Sequence, residues 1–487
     1  MGDQNTLLTT AEVRHLLRRA GLGPTPREVE RLEGLTRGQA ADQLLLLKPK
    51  AFRPGGRDFQ KAHDKWLKFL VKGKRPVQCR LALFWHDHFA VNFSTVQDVT
   101  QMALYVRLLH VHALGNFKTF VKAVNKDPAM MVFLDTVKNR KAIPNENYAR
   151  ELLELFTLGV TDLLGAPNYT QDDIVQIARA FTGWRVNSSN VAELDASRHD
   201  FQSDFPERGP KVIFRTTGGF GPAGRDLTVN GEGEPEIDAV VDAIFDHTDS
   251  AGHNTVARRT THRLLQFLCH DDPPLAVVDE LIATASFATT WDLKALVRAI
   301  LVHDIFYETA APAPFGAATK KSVKWPVDFV VSTMRLLGLK VKGRPAWIPG
   351  GTYSSLRDHL ENMGQVLMQP PSVFGWDWET AWLSSGTLLA RYTFARDIAA
   401  MRWDNPTFRP DLLMDLTLTD PDDIVAAVLG VLAIDDQVDA ADRRRLVDYL
   451  TDYGATTSLD LGDWTVRNVK LHGLFALAMQ LPAYQLH

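Results

Sequence analysis

Apolar residues recur at helical spacing from Thr9 to about Gly183, and short segments marked by Gly or Pro separate the runs. Val13, Leu16, Leu17 and Ala20 share one face of a helix that Thr10-Ala11-Glu12 opens and Gly21-Leu22-Gly23-Pro24 stops. The same spacing predicts helices over 27–33, 37–47, 59–71, 76–88, 96–114, 116–124, 128–135, 146–160 and 171–182. Between 184 and 234 the period disappears, Gly, Pro, Ser, Asn and Asp become frequent, and one strand is predicted over 211–216. Helical spacing then returns over 236–247, 255–269, 274–285, 291–303, 323–337, 353–363, 387–402, 421–432, 440–453 and 466–479. The expected fold is mainly α: a large multi-helical domain over 9–487 with an irregular, partly β insertion around 184–234. Two packed lobes, 9–183 and 235–487, are the other organisation the length allows.

Composition narrows the function classes. Hydrophobic residues at 45% and charged residues at 23% are ordinary for a globular chain. With 54 basic and 58 acidic residues the net charge is -4, which gives no reason to expect nucleic-acid binding, so any anion site must be local. Cys79 and Cys269 are the only cysteines, too few for a disulfide framework or a Cys-x-x-Cys zinc site, and read as core thiols. No window is apolar for long enough to span a bilayer, and Met1-Gly2-Asp3-Gln4-Asn5 does not resemble a secretion signal, so the expectation is a cytoplasmic protein with no membrane partner.

Three polar clusters interrupt this apolar background. In Trp85-His86-Asp87-His88-Phe89 the two imidazoles stand about 200° apart on a continuous helix but on one side of a broken one. A helix end here would let both converge on a metal; the alternative is two helix-terminal histidines bonded to backbone carbonyls. In Asn145-Glu146-Asn147-Tyr148-Ala149-Arg150-Glu151, projection places Tyr148, Ala149, Leu152, Leu153, Leu155 and Phe156 on one face, with Glu146, Asn147, Arg150, Glu151 and Glu154 on the other. Glu146, Arg150 and Glu154 recur every four residues, so a ladder of exposed ion pairs is the plain alternative to a site. The third cluster, Arg198-His199-Asp200-Phe201, lies in the insertion, followed by Arg208, Lys211 and Arg215. It offers an imidazole and a carboxylate to a metal and cations to an anionic group, or else it is a solvated loop. Gly219-Phe220-Gly221-Pro222-Ala223-Gly224 fits a dinucleotide fingerprint but opens no helix, and His247, His253, His262 and His270 have no standard ligand spacing.

Together these segments resemble the bacterial domain-of-unknown-function 1800 family. The likeness rests on Phe84-Trp85-His86-Asp87-His88-Phe89, Asp127-Pro128-Ala129-Met130, the long stretch from Pro144-Asn145-Glu146-Asn147 to Leu158-Gly159, and Tyr169-Thr170 through Ala180-Phe181-Thr182-Gly183-Trp184. His199-Asp200-Phe201, Lys320-Lys321 with Trp325-Pro326, and Pro370-Pro371 with Gly375-Trp376 extend it over nearly the whole chain. The resemblance implies one helical unit and ties the histidine and acid clusters together, but it implies no reaction. Many members look exported, often beside sulfatase-like proteins, and the resemblance implies asparagine where this chain has Asp87.

The expectation that joins these readings is a divalent-metal enzyme that hydrolyses or transfers a group on an anionic small-molecule or glycan substrate. His86, His88, Glu146, His199 and Asp200 would hold the metal; Glu151, Asp87 and Arg150 would act in catalysis; Arg198, Lys211 and Asn147 would bind substrate. An iron or copper oxidoreductase uses the same ligands. A non-catalytic scaffold or carbohydrate-binding protein, with Trp376, Trp378 and Trp382 as a stacking surface, is the third possibility.

Overall fold

The computed structural model describes residues 3–46, 50–56, 58–269, 272–308, 322–339, 355–400 and 408–487. The expected helix ends at Leu47, Tyr353 and Arg402, and His270, Lys320 and Lys321, lie outside these residues. The chain is mainly α, and among the described residues only two small antiparallel ribbons interrupt the helices. Both belong to the insertion: Trp184–Val186 pairs with Ala192–Leu194, and Val212–Ile213 pairs with Arg225–Asp226. The strand expected over 211–216 is cut short because Phe214 turns to φ 59°, a left-handed conformation that no ladder accommodates.

Local chemistry sets the helix boundaries. The segment expected as one helix over 96–114 is broken at Gln97, which takes φ 54°. Asp98 then caps Val99–His112 by accepting from the Thr100 and Gln101 amides. Asp127 caps Pro128–Phe133 in the same way, with proline at the first turn. Its carboxyl is fully buried and is pushed up to about 7 by desolvation, against the two amides that favour its charge.

Helix Pro76–His88 lies at the centre, with all 13 of its residues buried. Such a helix must be apolar all round or have every polar side chain matched. Here Gln78, Arg80, His86, Asp87 and His88 each find a partner: Gln78 and Arg80 reach the His110 carbonyl and Asp328. Helices Val99–His112 and Arg37–Leu45 pack on it, and helices distant in sequence pack on one another: Arg37–Leu45 against Leu293–Val302, and Phe59–Lys72 against Pro326–Leu336. Cys79 and Cys269 are free buried thiols that desolvation pushes up to about 12. Among the described residues, no helix is long and apolar enough to cross a membrane.

Candidate functional site

Helix Pro76–His88 has the expected bounds but stays helical through both histidines to the cap at Phe89, whose amide bonds the Trp85 carbonyl, which corrects the break between them on which convergence depended. The imidazoles of His86 and His88 therefore leave on different sides. His86 is fully buried between Trp66, Tyr105 and Trp376, and its Nε2 accepts the Met368 amide at 2.9 Å. That partner leaves the proton on Nδ1, a buried atom with no partner. His88 Nε2 stands 3.1 Å from the Phe156 carbonyl and must donate to it. Burial lowers both imidazoles to about 3, and for His88 the neighbouring Arg263 and Arg259 add to the effect. Asp87, between them, accepts the Trp376 amide at 2.8 Å and the Trp378 indole N–H at 2.9 Å. Desolvation raises its carboxyl to about 6 despite these bonds and Arg263. The three consecutive side chains thus staple the helix to two separate stretches, the connection over 368–378 and the chain at Phe156.

Arg263, with Nη2 3.9 Å from Asp87 and its guanidinium 4.3 Å above the Trp378 ring, keeps 31% of its side chain exposed. It stands one turn beyond Arg259 on helix Thr255–Leu268, four residues on, so the two guanidinium groups share a face. Arg259 donates to the Glu154 carbonyl at 2.9 Å, packs where a side chain on Gly159 would stand, and leaves Nε unpartnered. Among the described residues neither arginine has a carboxylate nearer than the 3.9 Å to Asp87. Burial lowers Arg259 to about 10 and Arg263 in the same direction; the charge of Arg263 adds to the shift of Arg259.

The segment that follows the second cluster packs on this helix, where Arg259 meets the Glu154 carbonyl. Asn147–Glu151 is α-helical, and Leu152–Thr157 then widens into a π-helix, a turn often found at functional sites. Glu151 is half-buried, has no hydrogen-bond or ion-pair partner among the described residues, and is shifted upward by burial and by Glu154. Tyr169 lies against Glu154; burial and that carboxylate raise its phenol. The Tyr169 ring also lines a cleft of about 650 Å³ with Thr170, Arg215, Thr217 and Gly218. Glu146, Arg150 and Glu154, by contrast, form the exposed ladder, at 3.1 and 3.4 Å.

His199 and Asp200 lie elsewhere, in a buried ionic network that the sequence did not separate from a solvated loop. Lys211 meets both oxygens of Glu236 at 2.7 Å and stands 3.3 Å from His199 Nε2, while His199 Nδ1 bonds the Thr182 carbonyl at 2.9 Å. Asp200 is held by Arg179 at 3.1 Å and Arg208 at 2.7 Å.

The family model described as "Protein of unknown function (DUF1800)" matches residues 15–486. The chain belongs to that family. No curated protein and no solved structure matches it.

The residues shared with the DUF1800 pattern therefore divide by role. Of the expected metal ligands, His86 and His88 diverge, Glu146 is in the exposed ladder, and His199 and Asp200 are saturated by Lys211, Glu236, Thr182 and the arginines. Among the described residues no group of three or more histidine, cysteine or acidic side chains is placed to hold a metal ion. Lys211 is tied to Glu236, Arg198 pairs with Asp195 at 3.3 Å, and exposed Asn147 engages the Asn145 side chain and the Leu134 carbonyl. Trp376 and Trp382 are 5% exposed, so neither belongs to an open stacking surface. Sequence reasoning missed Arg259 and Arg263. Two arginines four apart on a predicted amphipathic helix were the available signal, and i, i+4 cations without intervening acids are costly unless something pairs with them.

Proposed function

We propose that this protein is an enzyme that binds a small anionic substrate at Arg259 and Arg263 and carries out hydrolysis or group transfer with Glu151 as the proton acceptor. The observation that carries the reading is the pair of partly buried guanidinium groups that, among the described residues, no carboxylate neutralises at close range. Cations held in a desolvated setting with spare donors bind phosphate, sulfate or carboxylate groups strongly, since each contact is charge-assisted. Asp87 positions the arrangement: it anchors the Trp378 indole, over which Arg263 lies. Glu151, without a partner among the described residues and shifted upward by burial and Glu154, has the character of a general base, and Tyr169, which feels its charge, lines a cleft of about 650 Å³. The reading uses no metal ion: of the residues expected to bind one, His86 and His88 diverge and Glu146, His199 and Asp200 pair with other side chains.

Turnover assays on phosphate, sulfate and carboxylate esters test the proposal. Arg263→Met should raise KM at least tenfold, whereas Glu151→Gln should lower kcat about a hundredfold and leave KM within a factor of about three. A turnover unchanged in both variants overturns it. Elemental analysis of the purified protein tests the metal question separately: one equivalent of zinc, manganese, iron or copper that chelator removes along with activity would contradict a metal-free site.

A further inference from the structure

A second concave surface lies outside the region described so far. Residues 25–31, 68–76 and 335–339 enclose a cleft of about 1100 Å³. Its walls carry Arg27, Arg31, Lys68, Lys72 and Lys74, all exposed and all without an ion-pair partner among the described residues, together with Arg75. Lys68 and Lys72 stand one turn apart on helix Phe59–Lys72, so their charges share a face. The one acidic residue in the lining, Glu28, is already consumed: both its oxygens accept from Arg335 Nη2, at 2.7 and 2.6 Å.

Arg335 forms a built floor. Its side chain is 6% exposed, its guanidinium packs on the backbone of Gly73 where any side chain would collide, and its Nε is buried without a partner. Gly73 permits this at φ 50°, the left-handed cap of helix Phe59–Lys72. Five exposed cations around a neutralised floor, in a chain whose net charge is -4, make a positive local field focused by the concave walls.

We propose that this cleft binds a compact polyanion carrying several phosphate or sulfate groups. A concave site of this volume suits a molecule rather than a flat lipid surface. None of its lining residues is aromatic, so it offers no platform for stacked bases and does not suit a single-stranded nucleic acid.

Calorimetric titration with sodium tripolyphosphate and with a trisulfated heparin disaccharide tests this and separates the phosphate source from the sulfate source. Binding of at least one is expected, weakening as salt rises. The double variant Lys68→Glu/Lys72→Glu, at exposed positions, should weaken it about tenfold or more. Binding should persist in Arg263→Met and be weakened there by the same Lys68→Glu/Lys72→Glu change, which keeps this proposal distinguishable from the anion pair on helix Thr255–Leu268. No heat with either probe, equal affinity in the double variant, or tighter binding of a single-stranded oligonucleotide than of both probes overturns it.

Discussion

At the scale of single residues, the His-x-His segment earns its place through what each side chain holds. Gly375 takes φ 81°, and a Cβ there would run into the Asp87 carboxylate and its carbonyl oxygen. Gly375→Ala should therefore destabilise the fold by about 2 kcal/mol or more, read as a lower denaturation midpoint. Asp87→Asn is a gentler test. It keeps one acceptor for the Trp376 amide or the Trp378 indole and removes a carboxyl that burial has raised to about 6. Its stability at pH 7 should stay within about 1.5 kcal/mol of the parent, while Asp87→Ala, which orphans both donors, should cost about 2–4 kcal/mol. Equal losses in the two Asp87 variants, measured by denaturant melts, would show that the hydrogen bonds are not what the side chain contributes.

At the scale of elements, helix positions were largely legible because burial imprints a 3.6-residue period on the sequence. Pro76–His88 begins and ends where the pattern places it, and the Glu146–Arg150–Glu154 ladder follows from spacing alone. Arg150→Ala should accordingly cost no more than about 1 kcal/mol in thermal stability, since both pairs are open to solvent. What spacing did not reveal was register and partnership. The π-turn over Leu152–Thr157 has the same apolar composition as an α-helix, and it leaves Leu155 only partly buried although projection places it on the inner face. His86 meets Met368 across 282 positions, and His199 meets Lys211 across 12 positions of the insertion and Glu236 in the helix beyond it. No local pattern encodes such contacts, so a convergent metal sphere and a set of separate staples look alike in sequence.

At the scale of the whole molecule, ionisable groups in the interior set the pH response. Burial holds His15, His86, His88, His110, His247, His359 and His487 below their ordinary value. The unfolded chain therefore takes up protons first, and stability is lost as pH falls below about 6.5. Asp87 and Asp127 are raised, to about 6 and about 7, and act in the opposite sense: their contribution is complete below about pH 4 and is lost as pH rises through those values. The histidines outnumber them, so Tm should fall steadily from pH 6.5 to 4; a flat or rising profile over that range would contradict the burial of neutral imidazoles. The pairing of a desolvated arginine face with an unpartnered Glu151 is the central claim, and calorimetric titration of inorganic phosphate into parent protein and Arg263→Met tests it most directly. Saturable binding in the parent that is lost in the variant is the predicted result, and identical isotherms for the two proteins would contradict it.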